Sequence, residues 1–395
     1  MKNFVFISPN FPNNYWNFCR QLKDNGLRVL GIGDCPYEQL SAELQGSMDE
    51  YYKVSSLEDY DQVYRAVAYF IHRYGPIDWL ESNNEYWLER DARLREAYHI
   101  TSGFLPEDMP YVKCKSRMKE RYALAGIPVA RHHMVADLPG CLGFADTVGY
   151  PVVVKPDNGV GAVDTYKLSS PQELTDWFAR KNDRSYIMEE FIDATINSYD
   201  AIIDSQGQPL FETGNVTVVN LMDVVNRELS SVFYIRGQLP EDVQSRGRAA
   251  VKAFGVRSRF VHMEFFRLNR DQHLGKKGDV VALEVNMRPS GGISPTMMNY
   301  ANGTDVYKIW ADMIAFDRTQ KPVLERQYCV FVGRRDKRSY VMSREDVLLA
   351  YGQSMKEQGR VDGALSAAMG DYMFLACFKD ETQLMDFIDR TCAER

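Results

Sequence analysis

Two apolar segments that each carry a single glutamate constrain the fold more than any other feature of the chain. Residues 261–266 contain Glu264 and residues 280–288 contain Glu284, with a polar turn between the segments. Alternation along a strand places Glu284 and Asn286 on one face, and a hairpin would bring Glu264 beside them. Two carboxylates and an amide oxygen are hard ligands that suit Mg²⁺, or Mn²⁺ in its place. The alternative is that both glutamates lie on a solvent-facing side of the hairpin.

Elsewhere in the chain, a lysine at the end of another apolar strand precedes a glycine-containing loop. Three valines lead into Lys155, and Gly159 and Gly161 follow in the loop. A lysine in this place supplies a point charge to a phosphate, and the loop can bring backbone N–H groups close to it. The pattern GxxxxGK[ST] of the P-loop is absent, and the alternative is an ordinary hairpin turn.

A third apolar strand, residues 186–192, ends in Glu189 and Glu190. The backbone of a strand edge can offer N–H and C=O groups to a purine, while a carboxylate accepts hydrogen bonds from an amino or hydroxyl group. This segment is therefore a candidate for nucleotide recognition.

The pattern of elements predicts an α/β unit followed by α+β lobes. Strands at residues 3–8 and 27–33 flank a helical stretch at residues 13–25, which makes a βαβ opening. The fingerprint GxGxxG is missing after the first strand, so a dinucleotide-binding dehydrogenase is disfavoured. Turn-forming residues predict boundaries near residues 110 and 321.

Composition and charge exclude several classes of protein. Hydrophobic residues make up 45% of the 395 residues and charged residues 26%, which is the balance of a globular protein. The net charge of −7 argues against a nucleic-acid partner. No apolar run is long enough to span a membrane, no cleavable leader is predicted, and the seven scattered cysteines indicate reduced thiols, so we expect a cytoplasmic protein with no membrane partner.

Five segments in this order and spacing resemble the ATP-grasp superfamily: Lys115, Tyr150–Pro156, Met188–Ile192, Met263–Phe265 and Leu283–Pro289. The resemblance implies an ATP-grasp fold preceded by a Rossmann-like βαβ domain, with a small C-terminal α+β region. The expected units are an N-terminal domain at residues 1–110, a small lobe with the glycine loop at 111–195, a large lobe with the metal site at 196–320, and a C-terminal region at 321–395.

The resemblance also implies roles for individual residues. Lys115 and Lys155 would bind the ATP phosphates together with the glycine loop, and Arg288 would act with Lys155 on the transferring phosphoryl group. Glu264, Glu284 and Asn286 would bind Mg²⁺. The adenine end of the nucleotide would be bound by Glu189 and by the backbone of the three residues that follow it, Glu190, Phe191 and Ile192. The ring of Phe266 would pack on adenine. His262, on the face of Glu264, is interpreted as structural.

The reaction that the resemblance implies is an ADP-forming, carbon–nitrogen bond-forming ligation. A small carboxylate, such as an amino acid, is phosphorylated to an acyl-phosphate and coupled to an amine. Ser290, Gly291, Gly292, Glu85 and Arg227 are candidates for binding these substrates. Many members form dimers, so the resemblance allows a homodimer without requiring one.

Two departures from the superfamily pattern leave alternatives open. Ala162 and Asp164 occupy positions in the glycine loop where a serine and a glycine are usual. An enzyme with another acid or acceptor, such as one that carboxylates a metabolite, is one alternative. A non-catalytic nucleotide-binding regulatory protein is the other, although pure binding would not need the full set of Glu264, Glu284, Asn286 and Arg288.

Overall fold

The computed structural model describes residues 1–159 and 163–395, and in the helix at residues 221–226 it leaves out the side chains of residues 221–223. Gly161, predicted to bind phosphate, and Ala162 therefore lie outside the described residues.

The N-terminal unit is a parallel sheet with helices, as the βαβ pattern predicts. Its strand order is β3-β2-β1-β4, and every pairing is parallel. Strand β1 is buried along its whole length, which explains its continuous apolar sequence. The elements are β1 (Asn3–Ile7), α1 (Trp16–Asp24), β2 (Arg28–Gly33), α2 (Ala42–Ser47), β3 (Glu50–Lys53), α3 (Tyr60–Tyr74), β4 (Trp79–Glu81) and α4 (Leu88–Ala97).

The small lobe is an antiparallel sheet of order β5-β8-β6-β7 that packs against two helices through a core around Cys141 and Trp177. Its strands β6 and β8 carry the lysine and the paired glutamates singled out by the sequence. The elements are α5 (Met109–Lys113), α6 (Lys115–Leu124), β5 (His132–Met134), α7 (Leu138–Val148), β6 (Val152–Pro156), β7 (Tyr166–Leu168), α8 (Pro171–Arg180) and β8 (Tyr186–Glu190).

The rest of the chain forms a large sheet of order β14-β13-β9-β11-β12-β15-β17-β16, with β10 paired to β9. The elements up to residue 316 are β9 (Ala194–Ile203), β10 (Pro209–Thr213), β11 (Asn215–Thr217), α9 (Leu221–Asn226), β12 (Ser231–Ile235), α10 (Glu241–Ala253), β13 (Arg259–Leu268), β14 (Val280–Asn286), α11 (Ser294–Asn302) and α12 (Val306–Phe316). The later ones are β15 (Tyr328–Arg334), α13 (Arg344–Tyr351), β16 (Met355–Arg360), α14 (Ser366–Met369), β17 (Tyr372–Phe378) and α15 (Glu381–Cys392).

The C-terminal strands extend the sheet of the large lobe. Strand β15 pairs with β12 over five residues, with Val232 opposite Val332. Both valines are buried in one core cluster, so the two regions share one apolar face of the sheet. The predicted change near residue 321 thus marks a connection within one sheet, and the three boundaries between the four expected units stay predictions.

The N-terminal unit packs against the large lobe through Trp310 of α12. The Trp310 ring lies 5.6 Å from the ring of Phe4 and 4.9 Å from that of Phe18, both in edge-on contact. The three side chains belong to one buried cluster. This contact fixes the loops at the carboxyl ends of β1 and β4 beside the large sheet. Among the described helices, none is long and apolar enough to cross a membrane.

Candidate active site

The predicted hairpin forms, and it brings the two glutamates face to face. Strands β13 and β14 are antiparallel, with Glu264 opposite Glu284 and His262 opposite Asn286. All four residues line a cavity of about 380 Å³ between the small lobe and the large sheet. The side chains of Glu264 and Glu284 keep 24% and 22% of their surface exposed, so both carboxylates are accessible from the cavity.

A buried network behind the hairpin orients Glu264. His262 Nδ1 lies 2.8 Å from Asp200 Oδ1, and its Nε2 lies 3.1 Å from Glu264 Oε1. Burial by itself lowers the pKa of His262, but the carboxylates of Asp200 and Glu264 outweigh burial and raise it to about 10. Ser198 donates a hydrogen bond to the other oxygen of Asp200. His262 therefore has a structural place in the site, as predicted, and it partly neutralises Glu264.

Three lysines of the small lobe lie close to the cavity, and two of them, Lys115 and Lys155, line it. The Glu189 carboxylate forms ion pairs with Lys119 Nζ at 2.8 Å and with Lys155 Nζ at 2.9 Å. Burial raises the pKa of Glu189, but the two lysines outweigh it and hold the pKa well below its usual range. Lys115 Nζ lies 3.6 Å from Glu284 Oε2 and donates to the Gly159 carbonyl at 3.3 Å. The lysines are thus gathered around the carboxylates of Glu189 and Glu284.

An apolar end of the cavity lies beside the connection between β8 and β9. Phe266 and Ile192 belong to one apolar cluster, and both line the cavity. Among the described residues, the backbone N–H of Ile192 has no hydrogen-bond partner. A flat aromatic ligand placed here would meet an apolar wall on its face and a free backbone donor at its edge.

The carboxylate of Glu190 is already occupied. The Arg131 backbone N–H donates to its Oε1 at 2.8 Å, and the Arg131 guanidinium donates to its Oε2 at 2.9 and 2.6 Å. The side chain of Glu190 therefore fixes the end of β8 against the segment before β5. Its backbone N–H is occupied as well, since it donates to the Arg131 carbonyl at 3.1 Å, and the nucleotide-binding role of this backbone stays a prediction.

Arg288 follows the hairpin and lines the cavity. Its guanidinium donates to the Pro289 carbonyl at 2.7 Å and to Asn286 Oδ1 at 3.3 Å. Behind it, Glu85 lies buried, with one oxygen 2.9 Å from Lys113 Nζ and the other 4.0 Å from Arg288 Nε. Glu85 therefore lies behind Arg288, outside the lining of the cavity.

The loop Ser290–Gly292 lines the cavity next to Arg288 and leads into helix α11. Gly292 has a φ of +61°, a conformation that strains any other residue. Backbone N–H groups at a helix N-terminus favour a negative ligand, so this loop and Arg288 together can accept a carboxylate.

Among the described residues, three predicted ones are absent from the lining of the cavity: Glu85, Gly159 and Arg227. Arg227 is exposed and absent from the cavity lining, and its carbonyl accepts a hydrogen bond from Arg338 at 2.9 Å. Gly159 reaches the site only through its carbonyl contact with Lys115.

The structure adds residues that sequence reasoning missed. Lys119 is one of them, although it follows Lys115 by four residues and therefore shares its helix face. Arg259 is another: it is 3% exposed, pairs with Glu81 of the N-terminal unit and donates to the Met287 carbonyl. No local signal marks Arg259, because its partners are distant in the chain.

The donor set fits a small, hard cation. The carboxylates of Glu264 and Glu284 face each other, with His262 and Lys115 beside them, and the Asn286 amide oxygen lies on the same strand face as Glu284. Among the described residues there is no group of three or more His, Cys, Asp or Glu side chains that could hold a metal alone. Mg²⁺ commonly completes its coordination with water and substrate phosphates, which suits this two-carboxylate site.

Comparisons with known proteins show which sequences and folds this chain is similar to. No family model matches the chain. Over 254 residues the chain is 24% identical to the L-arginine-specific L-amino acid ligase of Bacillus subtilis, a match covering 62% of this chain and 59% of that relative. The chain therefore matches less than two thirds of the length of that relative.

Two solved structures share almost the whole fold. The L-amino acid ligase from Bacillus licheniformis superposes with a TM-score of 0.69 at 15% identity, over 99% of this chain and 98% of that one. The biotin carboxylase domain of the Hydrogenobacter thermophilus 2-oxoglutarate carboxylase, solved with MgADP and bicarbonate, gives 0.69 at 16% identity, over 96% and 86%. These matches confirm the predicted ATP-grasp fold.

Proposed function

We propose that the chain is an ATP- and Mg²⁺-dependent ligase that activates a small carboxylate as an acyl-phosphate and couples it to an amine. The observation that carries the proposal is the facing pair of Glu264 and Glu284, set between clustered lysines and Arg288 in one cavity. The names of the relatives, which are ligases and a carboxylase, support the same class of chemistry.

The proposed nucleotide site follows the cavity from its apolar end to the hairpin. Adenine packs against Phe266 and takes a hydrogen bond from the Ile192 backbone. Lys115 and Lys155 bind the phosphates, and Lys155 leaves Glu189 to do so while Lys119 keeps that carboxylate charged and buried. Burial lowers the pKa of Lys155, but the carboxylates of Glu189, Glu284 and Glu264 together outweigh burial and raise it, so this lysine is cationic at neutral pH.

The residues proposed to hold Mg²⁺ are Glu264, Glu284 and Asn286. When bound, the ion neutralises phosphate charge and orients the terminal phosphate. Arg288 acts on the transferring phosphoryl group, and its contact with Asn286 keeps it on the same side of the hairpin.

The reaction balances without a nucleophilic side chain. A carboxylate oxygen of the acid attacks the γ-phosphorus, the bond from phosphorus to ADP breaks, and an acyl-phosphate forms. The neutral amine nitrogen then attacks the acyl carbon, the carbon–oxygen bond to phosphate breaks, and the nitrogen gives up a proton to the departing phosphate. The acid is proposed to bind at the Ser290–Gly292 loop, where N–H groups and Arg288 meet its carboxylate.

The experiment follows an oxygen atom of the acid. The purified chain is incubated with ATP, Mg²⁺, pooled ¹⁸O-carboxylate amino acids and pooled amines, and the released phosphate is examined by mass spectrometry. An acyl-phosphate route transfers one ¹⁸O atom to phosphate. Unlabelled phosphate, or ADP release that needs no acid, would contradict the proposal.

A matched pair of variants tests the metal site. Glu284→Gln is expected to raise the Mg²⁺ concentration at half-maximal rate by at least about tenfold, since even residues that only support a metal ligand have effects of this size. Glu241→Gln, an exposed glutamate in the first turn of α10, serves as the control.

The labelling experiment also separates the two alternative functions. Transfer of ¹⁸O to phosphate from labelled bicarbonate alone would favour the carboxylating alternative, and nucleotide binding without turnover would favour the regulatory one.

A further inference from the structure

A second cavity of about 300 Å³ adjoins the first one. Gly292, Leu365 and Met369 line both cavities. Met369 packs closely against Gly292, since a Cβ atom on this glycine would lie 2.7 Å from the Met369 Sδ. The wall between the two cavities is therefore a glycine loop and a flexible side chain.

The lining of the second cavity holds more acidic than basic side chains. Glu357 and Asp362 line it together with Arg360, whose guanidinium is paired with Asp336, a carboxylate that Arg344 also contacts. Glu357 accepts a hydrogen bond from the Tyr300 hydroxyl at 3.1 Å through one oxygen. Among the described residues, its other oxygen has no hydrogen-bond or ion-pair partner. The charged groups that remain free thus favour a cation.

An unsatisfied amide oxygen lies on the opposite wall. Asn14 donates from Nδ2 to the Gly292 carbonyl at 3.2 Å and to the Tyr307 hydroxyl at 3.0 Å. The contact with the carbonyl fixes the orientation of the amide, because a carbonyl can only accept. The Asn14 Oδ1 atom is buried and has no donor among the described residues. A buried acceptor of this kind calls for an N–H or O–H group from a ligand or water.

We propose that this second cavity binds the amine reactant and selects an amine that keeps a second, positively charged group, such as a diamine. The inference rests on the ligase function proposed above. The retained ammonium group pairs with Glu357, and Asp362 adds negative charge at the exposed mouth of the cavity. The other nitrogen is neutral and passes Met369 to attack the acyl carbon, so that a C–N bond forms as the C–O bond to phosphate breaks.

The test compares three amines of similar length that differ at the far end. In the diamine putrescine that end is an ammonium group, in butylamine a methyl group and in γ-aminobutyrate a carboxylate. Hydroxylamine is a fourth nucleophile, which traps the acyl-phosphate as a hydroxamate without filling the second cavity. We expect putrescine to have a KM about tenfold below the value for butylamine, as one charged hydrogen bond provides, and γ-aminobutyrate to be the poorest.

In the variant Glu357→Gln, putrescine is expected to lose this advantage, so that its KM rises to the value for butylamine. Glu345→Gln, an exposed glutamate in the first turn of α13, is the matched control and should keep the preference. Hydroxamate formation with equal or reversed use of the three amines would overturn the inference and leave the ligase function standing. The absence of hydroxamate with every acid would overturn both.

Discussion

Replacing Arg259 with methionine should disrupt the junction between the N-terminal unit and the glutamate hairpin. Arg259 begins β13, and its side chain is 3% exposed. One guanidinium nitrogen pairs with Glu81 and another donates to the Met287 carbonyl. Met287 stands between Asn286 and Arg288, so Arg259 fixes the backbone that carries both residues.

The cost follows from the groups that the substitution leaves behind. The Met287 carbonyl loses its donor, which costs about 1–3 kcal/mol for a buried group. Breaking a buried ion pair costs about 3–5 kcal/mol when a charge is left alone, but Glu81 keeps Arg95 at 2.9 Å. Because of this remaining partner, we expect a total loss of about 4 kcal/mol in the free energy of unfolding, near the low end of the summed range.

Urea unfolding of Arg259→Met is compared with that of Arg248→Met. Arg248 also makes two bonds to one glutamate, Glu212, but its side chain is 53% exposed, so its loss should cost no more than about 1 kcal/mol. In the kinetic assay, Arg259→Met should lower kcat more than it raises the KM for ATP. Equal unfolding free energies for the two variants, or an unchanged kcat in Arg259→Met, would refute the reasoning.

Three further predictions concern other buried positions. Burial and the neighbouring Glu81 raise the pKa of Asp91 to about 7, so the folded state binds the proton more tightly than the unfolded state, and stability should fall as the pH rises from about 4 to about 7; Asp91→Asn should remove this slope in a series of thermal unfolding curves. Gly292→Ala should lose about 1–2 kcal/mol of stability because its backbone is left-handed, and it should lose activity because the new Cβ displaces the Met369 side chain. Adding Met369→Ala to this variant should restore activity but not stability, which paired melting and rate measurements will check. Lys119→Met should raise the KM for ATP, measured by ADP release, because Glu189 then holds Lys155 more tightly; an unchanged KM would show that Lys155 binds phosphate independently of this pair.

The hairpin could be predicted from the sequence because its signals are local. A glutamate in each of two apolar runs fixes the face that each strand presents, and the observed pairing of Glu264 with Glu284 follows from that alternation. The ATP-grasp fold was recognisable from five such segments in order. Lys119 was within reach of the same reasoning, because it lies one helical turn after Lys115.

Other parts depend on contacts that no local pattern contains. His262 meets Asp200 across 62 residues of sequence, and Arg259 meets Glu81 across 178. Strand β16 alternates between partly buried and exposed positions and holds one methionine among polar residues, so its sequence shows no apolar periodicity. It pairs with β17 at the edge of the large sheet, where a strand can be polar and still be held by its neighbour. The C-terminal region therefore looked like a separate unit although it completes the sheet.

The two cavities are lined largely by different parts of the chain, so in the proposed enzyme nucleotide binding and the choice of amine depend on different residues. The nucleotide-facing end of the first cavity is lined by β6, β8, β13 and β14, whereas the second cavity is lined by the segment around Asn14, the start of α11, Phe331 and residues 357–373. Only Gly292, Leu365 and Met369 are common to both linings among the described residues. Substitutions at Glu357 can therefore change the choice of amine while the groups that bind ATP stay in place. Met369 lines both cavities, so its substitution should change the ratio between attack of the amine on the acyl-phosphate and hydrolysis of the acyl-phosphate by water.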